Sequence, residues 1–166
     1  THRQSSAASD VYKRQDVVIM MDCSLCPIND QRKGAFYEYV KKHSETIRSK
    51  DIEPILFMTW PYKNKPEMQN QLEEEFFKVS KINKLRMIPA GRAFLNINQN
   101  YPDINLYTED LRHPSKEGTY LAALMIFTSL SNKSPVGNTF MMDLDPEVAE
   151  ILQKVAWVTH RDFQKE

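Results

Sequence analysis

Residues 54–59 read Pro-Ile-Leu-Phe-Met-Thr, a short continuous apolar run that is typical of a strand buried on both faces of a sheet. A similar run lies upstream at residues 17–21, and a shorter one lies downstream at residues 86–89. The sequence therefore predicts three strands, and we expect the first two to be buried on both faces.

Helical periodicity fills the intervals between these runs. Helices are predicted over residues 31–50, 67–84 and 91–100, from Ser115 to Ser131, and from Pro146 onward. The apolar stripes expected to face the core in three of them are Phe36, Tyr39, Val40, His43 and Ile47; Met68, Leu72, Phe76, Val79 and Ile82; and Val148, Ile151, Leu152, Val155 and Val158. Strands separated by helices pair in parallel through right-handed crossovers, so the predicted fold is a doubly wound α/β sheet.

Three strands are few for an open parallel sheet that is covered on both faces. We therefore expect a further strand and helix upstream of Asp16, which would make residues 16–166 a partial domain. The first fifteen residues show no apolar periodicity and do not begin with Met. Residues 5–15 resemble the translation of a sequencing-adapter read-through of the kind found in metagenomic assemblies. We expect residues 1–15 to be a non-native leader, with a genuine disordered leader as the alternative.

The composition argues against several classes of protein. The chain has 166 residues, of which 41% are hydrophobic and 27% charged, as in an ordinary globular domain. Lys and Arg balance Asp and Glu at 22 each, without the excess positive charge that nucleic-acid binding requires. No apolar run approaches the roughly 20 residues needed to span a bilayer. We therefore expect neither a nucleic-acid partner nor a membrane span.

The loop at residues 103–114 contains a pair of side chains suited to acid–base chemistry. Histidine is the side chain that most readily exchanges a proton near neutral pH, and Asp110 lies three residues before His113. A general base of this kind needs an acceptor that orients its ring, which Asp110 can provide. Pro114 disfavours helical geometry at His113 and so leaves the imidazole in the loop. The spacing alone also fits an exposed histidine beside a turn aspartate.

A resemblance to a known superfamily extends this interpretation. The Asp110-x-x-His113-Pro114-Ser115 motif, with the Gly-Thr-Tyr-Leu-Ala-Ala of residues 118–123, resembles the last conserved block of SGNH (GDSL-type) hydrolases. It is most similar to a bacterial branch in which the block is followed, as here, by Ser-Pro-Val-Gly at residues 134–137 and a terminal helix. Residues 56–60 and 66–68 also resemble that branch, so the similarity covers roughly residues 16–163.

The resemblance implies a flavodoxin-like three-layer α/β/α fold and hydrolysis of an ester, often an acyl group on a carbohydrate. It implies that His113 is the base of a Ser-His-Asp triad and that Asp110 orients it. The superfamily's nucleophilic serine lies in a Gly-x-Ser turn after the first strand, and no such turn precedes Asp16. We therefore expect the parent protein to be a serine esterase and the chain as written to have negligible activity, because losing the nucleophile costs about a millionfold in turnover.

Ser24 is the second residue that the resemblance singles out. The Asp-Cys-Ser-Leu of residues 22–25 is similar to the family's Gly-Asp-Ser-Leu, but it lacks the glycine and lies too close to His113 in sequence. The loop corresponds better to the third family block, where an asparagine usually completes the oxyanion hole. We expect Ser24 to donate to the oxyanion in its place. A plain loop residue is the alternative, and a role as nucleophile is less favoured.

Trp60 directly follows the second predicted strand, at the edge where sites form in such sheets. We expect its ring to wall a substrate pocket, although a core tryptophan fits equally well. Tyr62 is a weaker candidate of the same kind. Arg112 could hold a polar substrate group, but a solvated arginine is favoured.

Cys23 and Cys26 have the CxxC spacing of redox and zinc sites. Redox pairs of this type sit at a helix N-terminus, whereas Pro27 and further loop residues follow here. A zinc site would need more ligands than the sequence places together, and two cysteines are too few for a disulfide framework. We therefore expect no metal and no cofactor. A non-catalytic carbohydrate-binding or pseudoenzyme α/β module is kept as the alternative, and a CxxC redox protein as a minor one.

Overall fold

A computed structural model describes residues 15–166, so the predicted leader, apart from Gln15, lies outside the described residues. The sheet consists of β1 (Val17–Met20), β2 (Glu53–Phe57) and β3 (Arg86–Ile88), in the order β1-β2-β3. Both pairings are parallel: Ile19 lies opposite Ile55, and Leu56 lies opposite Met87. The predicted α/β class with a parallel sheet is confirmed.

Helices cover both faces of this sheet. The described residues form α1 (Lys33–Arg48), α2 (Met68–Asn83), α3 (Ala90–Asn100), α4 (Lys116–Ser131) and α5 (Pro146–Phe163). Alternate side chains of β2 point into opposite layers, as the pleat of a strand requires. Ile55 and Phe57 belong to a core shared with α3, α4 and α5, whereas Leu56 belongs to a second core shared with α1 and α2. The result is a flavodoxin-like α/β/α arrangement. No helix within residues 15–166 is long and apolar enough to cross a membrane.

The two C-terminal helices begin where the sequence provides a cap. Ser115 accepts a hydrogen bond from the backbone N of Gly118 at 3.1 Å, which fixes the start of α4. Asp145 caps α5 in the same way, and Pro146 occupies the first turn. The cap of α4 matters for the site because it follows directly after Pro114.

The predicted burial of β1 on both faces is wrong. All four of its residues are only half-buried, and Met21, predicted to belong to the strand, lies after it and is 66% exposed. The reason is that β1 ends the strand order and, within residues 15–166, pairs with β2 alone.

Part of the apolar stripe predicted to face the core in α1 is exposed, again because β1 is at the edge of the described sheet. Phe36 and Val40 are buried as expected, but Tyr39 and His43 are exposed. Their rings stack on each other and line a groove of about 270 Å³ beside β1. No described strand covers this side of β1, so these side chains have no layer to pack against.

Two further core predictions fail near helix ends. Ile82, in the last turn of α2, is 66% exposed. Val158 in α5 is half exposed because the buried face of that helix continues through Ala156 and Thr159 instead.

Gly118 offers a test of how tightly α4 packs on the site loop. A Cβ at this position would clash with the carbonyl oxygen of Leu106 and lie 3.0 Å from the Cβ of Pro114. We predict that Gly118→Ala lowers the free energy of unfolding by about 1–3 kcal/mol, the usual cost of overpacking. The matched control is Gly34→Ala in α1, where an added Cβ meets nothing within 4 Å. That substitution should stabilise the protein by up to about 1 kcal/mol. Urea unfolding measures both, and equal effects would contradict the packing described here.

Candidate active site

A tight turn at residues 108–113 holds the predicted acid–base pair. One carboxylate oxygen of Asp110 accepts hydrogen bonds from the backbone N of Arg112 and of His113, each at 2.9 Å. It also accepts one from the Thr108 hydroxyl at 2.9 Å. The other oxygen of Asp110 bonds Nδ1 of the His113 ring. Leu111 adopts a left-handed backbone with φ of 60°, which closes the turn. A single carboxylate therefore orders both the backbone and the imidazole.

These hydrogen bonds hold the pKa of the Asp110 carboxyl well below its usual range. The backbone N–H of His113 contributes most, followed by the His113 ring and the backbone N–H of Arg112. Asp110 is therefore ionised at neutral pH. An ionised acceptor at Nδ1 favours the tautomer that carries its proton there and leaves Nε2 free to accept one.

The His113 side chain is open to solvent. It is 79% exposed, and its Nε2 has no hydrogen-bond partner within the part of the chain that the structure describes. The ring is thus oriented from one side by Asp110 and accessible from the other, which is the arrangement a general base requires.

The segment after β2 anchors this loop. Trp60 donates its indole N–H to the carbonyl oxygen of Arg112 at 3.0 Å, and its ring stacks on Phe94 with centroids 4.2 Å apart. The buried Tyr107 donates its hydroxyl to the carbonyl oxygen of Pro61 at 2.9 Å. The loop bearing His113 is therefore fixed at the carboxyl edge of the sheet.

A cavity of about 580 Å³ opens at this edge. Its walls include Ser24 from the loop after β1, Thr59 and Trp60 from the segment after β2, and Arg112 and His113 from the 103–114 loop. Ligand sites of doubly wound sheets form at this edge because the loops after successive parallel strands meet there. The structure thus brings Ser24, Trp60 and His113 to one cavity. Asp110 does not line it but binds the ring of His113 from behind.

Trp60 combines the two roles that the sequence left open. One face of its ring packs on Phe94 in the core, while the side chain also lines the cavity. Tyr62 lines the cavity as well, and the Arg112 guanidinium lies 5.0 Å from the centre of its ring. Such a cation–π contact holds Arg112 at the rim.

Sequence reasoning missed three features of the site. Tyr107 anchors the loop through its buried hydroxyl. Burial raises the pKa of this hydroxyl to about 12. Thr59 is buried at the cavity wall, and its hydroxyl has no partner within the described chain. Cys23 and Cys26 form a disulfide. Only the CxxC spacing gave a sequence signal for any of these. Since α1 begins at Lys33, neither cysteine sits at a helix N-terminus.

Comparisons with known proteins agree with this fold. No family model matches the sequence, and no curated protein does. The structure of a DUF4886 family protein from Bacteroides uniformis matches with a TM-score of 0.76 and 19% identity, over 96% of this chain and 67% of that one. A proposed SGNH hydrolase from Slackia heliotrinireducens matches with a TM-score of 0.60 and 22% identity, over 76% of this chain and 73% of that one. The fold is SGNH-like.

The low pKa of Asp110 predicts a pH-dependent contribution to stability. The pKa of Asp110 is lower in the folded state than its unfolded value near 4. The ionised carboxylate therefore stabilises the fold above about pH 4, and this stabilisation is lost as pH falls through the folded pKa. We predict that Asp110→Asn lowers Tm at pH 7 and that its difference from the wild type shrinks progressively below about pH 4.

Thermal melts between pH 3 and pH 7 measure this difference. Glu109→Gln removes one charge from the same exposed loop and serves as the matched control. A deficit of Asp110→Asn that stays constant across the range would show that the ionised carboxylate is not what stabilises the turn.

Proposed function

We propose that Asp110 and His113 are the acid–base pair of an ester hydrolase that uses a serine nucleophile. The observation that carries the proposal is the His113 ring, bonded at Nδ1 to Asp110 and open to the cavity at the carboxyl edge of the sheet. The SGNH-like fold is compatible with it. The resemblance in sequence to SGNH hydrolases implies the same roles for the same two residues.

The geometry of His113 and Asp110 is compatible with the proton transfers that ester hydrolysis needs. Nε2 of His113 would take the proton from the serine hydroxyl as that oxygen attacks the ester carbonyl. Asp110 would stabilise the resulting imidazolium, and His113 would then return the proton to the leaving alcohol, which leaves the acyl group on the serine. Nε2 would next take a proton from water as the water attacks this acyl-serine, and it would give the proton to the serine oxygen as the acid departs. Ser24, on the wall of the same cavity, is the candidate donor to the oxyanion.

The cavity suits a small-molecule or acylated carbohydrate ester. Its volume of about 580 Å³ lies within the range of ordinary small-molecule sites. Trp60 and Tyr62 offer aromatic surface to the apolar face of a sugar or to an acyl chain. Arg112, held over Tyr62, offers hydrogen-bond donors to substrate oxygens.

We propose that the nucleophile lies in the turn after a strand that pairs with the second side of β1 in a longer parent protein. Within residues 15–166 this side pairs with no strand. A parallel strand added there would end at the same edge as the loops that carry Ser24 and His113. Residues 15–166 would then lack the attacking group. Within these residues, Ser24 is the serine that lines the cavity and so is the alternative nucleophile.

The test compares the chain as written with the product of the gene extended upstream of Asp16, using p-nitrophenyl acetate. We predict turnover by the extended protein and negligible turnover by the chain as written. In the extended protein, His113→Ala should lower kcat by about 10⁴-fold or more. Glu109→Gln, an exposed change in the same loop as His113, should leave kcat unchanged.

Three outcomes would contradict parts of this proposal. If the chain as written turns over the ester rapidly and Ser24→Ala abolishes turnover, Ser24 is the nucleophile and the upstream strand is not needed. If His113→Ala retains full activity in the extended protein, the acid–base assignment is wrong. If the extended protein binds acylated sugars without hydrolysing them, the site is a binding site.

A further inference from the structure

The Cys23–Cys26 disulfide lies in the wall of the candidate active site. It closes a short ring in the loop between β1 and α1, and Ser24 lies within that ring. Cys23 and Ser24 both line the cavity that His113 also lines. The oxidation state of this pair therefore bears on the shape of the cavity.

The disulfide is open to attack in the folded protein. Cys23 is exposed, and Cys26 is half-buried. Exposed disulfides are the ones that exchange readily with thiols, because a thiolate can reach the sulfur without unfolding the chain. A ring this short also constrains the unfolded chain least, so the fold depends little on the bond.

The rest of the loop is attached to the protein independently of the disulfide. Leu25 and Ile28 pack against the core shared with α1 and α2, and Pro27 is buried. The turn around Ser24 is held more weakly. Besides the disulfide, it has hydrogen bonds that stay within residues 22–26. The backbone N of Cys26 donates to the carbonyl oxygen and to Sγ of Cys23, each at 3.1 Å, and the backbone N of Cys23 donates to Oδ1 of Asp22 at 2.7 Å. Breaking the disulfide would thus loosen the turn without detaching the loop.

We propose that Cys23 and Cys26 are a redox modification site that exchanges with dithiols and sets the position of the Ser24 turn. The oxidised form holds the turn in the cavity wall, and the reduced form frees it. This device is independent of which serine is the nucleophile.

The exchange proceeds in two thiol–disulfide steps. A thiolate of the dithiol attacks Sγ of Cys23, the more exposed residue of the pair, and forms a mixed disulfide. The Cys23–Cys26 bond breaks, and its electron pair leaves on Sγ of Cys26, which takes up a proton. The second thiolate of the dithiol then attacks the dithiol sulfur that is bonded to Cys23. The mixed disulfide breaks, and Cys23 leaves and takes up a proton to become the second thiol. The protein gains two electrons and two protons, and the dithiol becomes a cyclic disulfide.

The test uses the whole chain under native conditions, without any ester substrate. The protein is incubated with increasing dithiothreitol, alkylated with iodoacetamide and weighed intact. Hydrogen exchange is then compared between oxidised and reduced protein for peptides covering residues 22–30 and 107–115. The double variant Cys23→Ser, Cys26→Ser is the matched control.

We predict no alkylation before reduction and two alkyl groups after it, with no denaturant needed. Amide exchange in residues 22–30 should accelerate about tenfold or more on reduction, while residues 107–115 keep their protection. The double variant should exchange like the reduced protein and should not respond to dithiothreitol.

The proposal is overturned if the thiols alkylate without reductant, or if reduction requires urea. It is also overturned if the reduced protein keeps slow exchange in residues 22–30, or if protection is lost throughout the chain. In that last case the disulfide supports the whole fold rather than the cavity wall.

Discussion

The carboxylate of Asp110 is the group on which the candidate site depends. Its two oxygens together accept from two backbone N–H groups, the Thr108 hydroxyl and the His113 ring. The same interactions shape the turn, orient the imidazole and keep the carboxylate ionised. The orientation of the His113 ring and the ionisation of the Asp110 carboxylate thus have a common cause.

The sheet gives this turn its position. Alternation along β2 divides the apolar residues between two cores, one on each face, and so keeps both layers of helices in place. Parallel strands direct the loops after β1 and β2 to one edge. The Trp60 indole, stacked on Phe94 and bonded to the Arg112 carbonyl oxygen, ties the His113 loop to that edge. The Trp60 side chain thus packs in the core and also holds the loop that carries His113.

The features predicted from sequence are the local ones. Apolar runs and helical periodicity located all the described strands and helices. The three-residue spacing allowed the Asp110–His113 contact, and the resemblance to a known superfamily led us to expect it. The failures depend on distant neighbours. Tyr39 fits an inward stripe, but its burial requires a covering layer beside β1. The Trp60–Arg112 and Tyr107–Pro61 hydrogen bonds join residues 52 and 46 positions apart, which no local pattern reveals. Disulfide formation at the CxxC likewise depends on how the loop folds.

The tautomer of the His113 ring tests the central claim most directly. Long-range ¹H–¹⁵N NMR spectra at neutral pH distinguish the two ring nitrogens, and a His113→Gln variant identifies the signals among the four histidines of the chain. For the uncharged form of the ring, the account predicts that the proton sits on Nδ1 and that Nε2 is bare, with a loss of that preference in Asp110→Asn. A ring protonated at Nε2, or one that Asp110→Asn leaves unchanged, would show that Asp110 does not orient His113 as a base.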